Sequence, residues 1–251
     1  MRKRIAFGEM RRKAMEAIQG NWAMFALWLI VPSVVFLLLI PNSFIYSYLT
    51  GDVTLGVFDE FMIFVASSVT AALTFTFTAT MYAVIFHRHE MVKNKFAFFF
   101  TAANIVFVPS IKPILITKVL FSFLSFLCTP AVFNRIYELL LLNVVDYTFF
   151  SMFMYAVEIA ALIAGIYVSL AYILTPCVIA DNPKLDGITA MKISRKLMQG
   201  RKLNMVLFIL YFIPWYMLGA CALIIGAFFT EACFLVSLYF YYRECNAYES
   251  E

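Results

Sequence analysis

From Phe61 to Phe86 the chain runs without one charged side chain. A helix rises about 1.5 Å per residue, and about 20 apolar residues carry it across the hydrocarbon of a bilayer. Similar runs recur along the whole chain. Of the 251 residues 64% are hydrophobic and only 14% charged, against about 45–50% and about 25% in a soluble domain. One water-facing shell cannot cover that much apolar material. Lipid must act as solvent for much of the molecule. No small-residue cleavage site follows the basic start MRKRIAFGEMRRK, so no processing is expected.

The apolar runs predict an all-α integral membrane protein, a single polytopic domain over 1–251 with six transmembrane helices. They cover 22–40, 61–86, 114–128, 149–179, 204–224 (with Pro214 inside) and 227–246. Six spans put both termini on one side. Every Lys and Arg except Arg135 then falls on that side, which the positive-inside bias makes cytoplasmic. The acids Asp52, Asp59, Glu60, Glu138, Asp146, Glu158 and Glu231 fall outside or in the outer half.

The stretch IADNPKLDGITAMKISRKLMQGRK, residues 179–202, lies between the fourth and fifth spans. Asn182-Pro183 reads as a helix N-cap with Pro at the first helical position, and Gly200 as the stop. At 100° per residue Ala190, Met191, Ile193, Ser194, Leu197 and Met198 share one face, and Thr189, Lys192, Arg195, Lys196 and Gln199 the other. An interfacial helix over 183–199 is expected, lying at the inner headgroup level. Lys192, Arg195, Lys196, Arg201 and Lys202 are its expected contacts with anionic lipid headgroups on the cytoplasmic face. Residues 1–20 read as a second basic amphipathic helix, and both helices lead through Gln-Gly (Gln19-Gly20, Gln199-Gly200) into an apolar run. With a weaker copy near Lys93 and Lys95, the pattern reads as three helix-plus-hairpin repeats. Residues 131–147 read as an interfacial helix on the outer side.

Chemistry is sparse. His87 and His89, the only two histidines, sit two apart and point to different helix faces, so they read as a basic cap and not as metal ligands. The five cysteines lack paired spacing. No phosphate-binding loop and no Ser beside a His appears, so no catalytic residue, metal or cofactor is expected, and no nucleic acid. Glu158 and Glu231 stand out as carboxylates inside apolar runs, where an ionisable group is costly and marks a ligand or pathway. Either could equally sit at the outer headgroups as an ordinary interfacial side chain.

The stretches AIQGNW, VIADNP, SRKLMQGRK, LYFIPW followed by Leu218-Gly219, and YYREC resemble the signatures of the bacterial membrane-protein family catalogued as domain of unknown function 975. The resemblance is scattered over nearly the whole chain, and its Asp-Asn-Pro to Met-x-Gly-x-Lys portion is the most specific. Pro214 stands where that family has a small residue, and the segment between Pro130 and Gly165 looks inserted. The resemblance implies a multi-pass protein of the bacterial cytoplasmic membrane. It is similar in layout to membrane domains attached to some glycerophosphodiester phosphodiesterases. The expected function is non-enzymatic: binding, or protecting against, membrane-active cationic peptides or lipids. A small transporter or its accessory subunit is one alternative, and a partner of envelope glycerolipid metabolism another.

Overall fold

The structure is a computed structural model that describes residues 7–19, 21–39, 57–86, 106–114, 116–117, 147–221 and 223–247. All regular elements among them are helices: α1 (Phe7–Ile18), α2 (Trp22–Leu39), α3 (Val57–Phe86), α4 (Tyr147–Tyr172), α5 (Thr175–Asp181), α6 (Gly187–Leu197), α7 (Lys202–Cys221) and α8 (Leu223–Ala247). Residues 106–114 are helical as well. Five expectations fall outside the described residues: the third span beyond its first few residues, the 87–90 histidine stretch, Lys93 and Lys95, Cys128, and the outer helix of 131–147 up to Tyr147.

Among the described residues three stretches are long and apolar enough to cross a membrane: Phe58–Phe86, Tyr155–Asp181 and Lys202–Cys221, with mean hydropathies of 1.7, 2.1 and 1.7. Their side chains agree with that reading. On α4 nearly every described side chain from Met152 to Ser169 is exposed, including Met152, Tyr155, Ile159, Ile163 and Tyr167. A helix that is apolar on every side needs lipid or protein around it.

The chain forms two compact units. One takes the described parts of Met1–Ile30, Thr74–Pro113 and Leu170–Glu251, and the other those of Val31–Leu73 and Ile114–Ser169. In the second unit two hydroxyls of α3 turn back on their own helix, with Ser67 Oγ donating to the Phe64 carbonyl (2.9 Å) and Thr70 Oγ1 to that of Ala66 (2.8 Å). These two side chains thus sit in an apolar helix without an unmet donor.

The first unit holds a packed core. Helices α7 and α8 form a hairpin, α1 packs along α8, and α5 packs on α6. Met10, Ala14 and Ile18, four residues apart, are the buried stripe of α1. Phe208, Phe212, Tyr82, Tyr239 and Tyr241 are fully buried, and their rings meet at centroid distances of 5.2–5.4 Å (Phe208–Phe212, Phe208–Tyr241, Tyr82–Tyr239). Aromatic contacts of this kind add to plain area burial.

Two boundaries differ from the sequence reading. The fourth run is not one helix over 149–179. It ends at Tyr172 and restarts as α5 at Thr175, with Pro176 in the first turn. A Pro there lacks the N–H that would continue the ladder, yet suits a new helix start. The second difference is the cap of α6. Asn182 is the C-cap of α5, its N–H still bonded to the Val178 carbonyl, and Pro183 simply follows a finished helix. The N-cap is Asp186, whose backbone is extended and whose side chain accepts from the Ile188 N–H. The helix therefore runs from Gly187 to Leu197 and not from 183 to 199.

Candidate functional site

The α7–α8 hairpin closes at backbone contact. A Cβ on Gly219 would lie 2.7 Å from the Gly226 carbonyl oxygen and 2.7 Å from Thr230 Oγ1. Thr230 reaches across, its hydroxyl within 3.2 Å of the Trp215 carbonyl and 3.0 Å of the Gly226 carbonyl. One residue along each helix, the Tyr216 hydroxyl donates to Glu231 Oε2 at 2.5 Å. The phenol fixes one oxygen of a half-buried carboxylate. On the same helix the Arg11 guanidinium of α1 lies 3.7 Å from the ring centroid of Trp215, a cation–π contact.

The other end of this unit is built around the helix break. The Cys177 and Val178 N–H groups both turn to the Leu174 carbonyl, at 3.0 and 3.1 Å. The Ala171 carbonyl, in the last turn of α4, accepts from Ser194 Oγ of α6 at 3.1 Å. Such carbonyls have no partner within their own helix, so α6 docks where the break leaves an acceptor. Its buried residues are Gly187, Ala190, Met191, Ser194 and Leu197. Gly187 has to be glycine: a Cβ would meet the Pro109 carbonyl oxygen, and Pro113 Cδ would lie at 2.6 Å. Beside it Lys112 Nζ pairs with Asp186 Oδ1 at 2.6 Å. That hydrogen bond holds the Asp186 carboxyl below the usual carboxylate range. At the foot of α5, Asp181 Oδ1 accepts from the Tyr239 hydroxyl at 2.5 Å. The Tyr239 ring stacks on Phe86 at 3.9 Å, and Tyr82 donates to the Leu235 carbonyl at 2.9 Å.

The residues singled out from sequence thus separate into groups. Glu231 is held by Tyr216. Glu158 lies on α4 with its side chain outside the described ones, and it belongs to the other compact unit. Lys192, Arg195 and Lys196 are exposed on α6. Arg201, half-buried, donates to the Cys245 carbonyl at 3.0 Å, which makes it a tie between the ends of α6 and α8; Lys202 opens α7. The apolar face of α6 meets protein instead of acyl chains, since Leu197 is 1% exposed in the chain alone. Sequence reasoning missed Arg11–Trp215 and Asp181–Tyr239. The Asp of VIADNP was a usable signal, because a carboxylate closing an apolar run calls for a donor. Among the described residues no group of three His, Cys, Asp or Glu could hold a metal ion.

The family described as "Protein of unknown function (DUF975)" matches residues 1–249. No curated protein and no solved structure matches the chain.

Proposed function

The chain belongs to this family of unknown function, and from that premise we propose that it is a non-enzymatic protein of the bacterial cytoplasmic membrane that receives a cationic membrane-active peptide or lipid on its outer side. It would have six spans with both termini in the cytoplasm, built from three helix-plus-hairpin units. The succession α1–α2 and α6–α7, each with a Pro inside the second helix (Pro32, Pro214), supports the units.

The observation that carries the function is the Tyr216–Glu231 pair. Glu231 is about 12 Å along α8 from Leu223 at 1.5 Å per residue, inside an apolar hairpin. A carboxylate there is costly unless it has a partner and a use. Glu158, in the apolar run of α4, is a second carboxylate of this kind. A transporter is the second reading, favoured by the break at 173–174 and the two internal prolines, since interrupted helices line transport sites.

Glu231→Gln keeps the shape and removes the charge. Cells carrying it should hold parental amounts of the protein, yet lose most of their protection against a cationic membrane-active peptide; Tyr216→Phe should lose part. Vesicles containing the variant should bind less of that peptide. Equal binding by parent and variant would end this reading, and peptide accumulation inside parent vesicles would favour transport.

A further inference from the structure

We infer that the exposed face of α6 is a docking surface for the anionic phospholipid headgroups of the membrane face at which α6 lies. Four observations converge on it. First, the apolar half of α6 is buried in the protein itself, so the orientation of the helix is fixed. Second, the opposite half carries Lys192, Arg195 and Lys196, all exposed, and α6 contains no acidic residue. Among the described residues Lys192 and Arg195 have no ion pair, and the adjoining Asp186 is engaged by Lys112.

Third, α6 hangs between two stretches able to cross a membrane, Tyr155–Asp181 and Lys202–Cys221. The connections are only 182–186 and 198–201, and a fully extended chain gains about 3.5 Å per residue. The helix cannot leave the membrane surface. Fourth, Ser194 and Gly187 pin it there from both ends, on α4 and on the 106–114 helix. A rigid row of cations at that level lies within a Debye length, about 8 Å at physiological salt, of lipid phosphates. Anionic headgroups are the complement in charge and position. Zwitterionic ones supply no net charge to match.

This inference concerns a different face from the Glu231 site and stands if that reading fails. It is tested on the full chain in neutral detergent, given mixed micelles of phosphatidylglycerol and phosphatidylcholine, with retained lipid counted by mass spectrometry. The parent should retain phosphatidylglycerol over phosphatidylcholine, and less as NaCl rises. The triple variant Lys192→Gln, Arg195→Gln, Lys196→Gln should retain about a hundredfold less, since each cation at an anionic surface is worth about fivefold. Lys192→Arg with Lys196→Arg should retain the parental amount, which separates charge from any change in folding. Arg12→Gln with Lys13→Gln on α1 should change little. The inference is overturned if the triple variant retains lipid as the parent does, or if the α1 variant loses as much. It is equally overturned if free glycerol phosphate competes as well as the intact lipid.

Discussion

Helices α1 and α6 start from nearly the same material. Each is short, basic and amphipathic, and each runs through Gln-Gly into an apolar helix. Their charges end up differently. In α1, Lys13 pairs with Glu9 at 3.0 Å, Arg12 with Glu16 at 3.1 Å, and Arg11 covers Trp215. In α6 no acid stands three or four residues from Lys192, Arg195 or Lys196. An acid at that spacing is a helix-surface neighbour and takes up the cation locally. Where it is missing, no acid on the same helix matches the charge. Two helices of similar basicity thus differ in whether their charge is matched within the helix.

The docking of the two helices differs as well, and glycine substitutions would sharpen that most. A Cβ on Gly187 collides with a backbone carbonyl and a proline ring, neither of which can swing away. Gly187→Val should therefore cost about 3 kcal/mol or more, the upper range for overpacking. Gly8 on α1 is exposed, and a Cβ there meets only Tyr211 Oη at 3.7 Å. Gly8→Ala should gain about 0.5–1 kcal/mol from helix propensity. Thermal unfolding in detergent reads both. Similar midpoints for the two variants would mean that α6 is not clamped at its N-terminus.

A smaller effect is expected from Ser194→Ala. It leaves the Ala171 carbonyl buried without its donor, a loss of about 1–3 kcal/mol. Backbone hydrogen exchange should quicken over Gly187–Leu197 and stay parental over Phe7–Ile18, because α1 is held by Met10, Ala14 and Ile18 and makes no use of that bond. Equal acceleration in both helices would indicate global loosening and remove the distinction.

The faces of α6 were legible because the 100° period needs only the sequence. Ala190, Met191, Ser194, Leu197 and Met198 are buried and Ile193 half-buried, while Thr189, Lys192, Arg195, Lys196 and Gln199 are all exposed. What covers the apolar face was not legible. Lipid and a neighbouring helix impose the same pattern on a sequence, and Leu197 meets protein. The helix break escaped notice because Pro176 sits within an unbroken apolar run, and hydropathy does not register a lost N–H. Arg201 read as one more surface cation, although the last carbonyls of α8 lack intrahelical acceptor use and draw its guanidinium. The Tyr239–Asp181 bond joins residues 58 apart, and no local rule pairs them. Glu231 was legible as an anomaly in an apolar run; its phenol partner followed only from the hairpin register.

The smallest effect, and the most direct on charge, concerns Asp186. Its carboxyl does two jobs, capping α6 through the Ile188 N–H and pairing with Lys112, 74 residues away. Asp186→Asn separates them, since Asn is as good an N-cap as Asp but cannot form the ion pair. Lys112 lowers the folded-state pKa of Asp186 below its ordinary value of 3.8. A carboxylate depressed in this way contributes stability that is present above the unfolded value and lost as pH falls through the folded one. The parent should therefore unfold at a slightly higher temperature than Asp186→Asn from pH 7 down to about 5. The gap should narrow below about 4 and close under the depressed folded value. Both groups are exposed, so salt should shrink it too. Glu9 on α1 is lowered by Lys13 in the same sense, but Glu9→Gln cuts a bond within one helix turn and should leave the docking of α1 unchanged. A gap for Asp186→Asn that persists undiminished at pH 3 would assign the effect to the cap, and the ion pair would then have no part in holding α6.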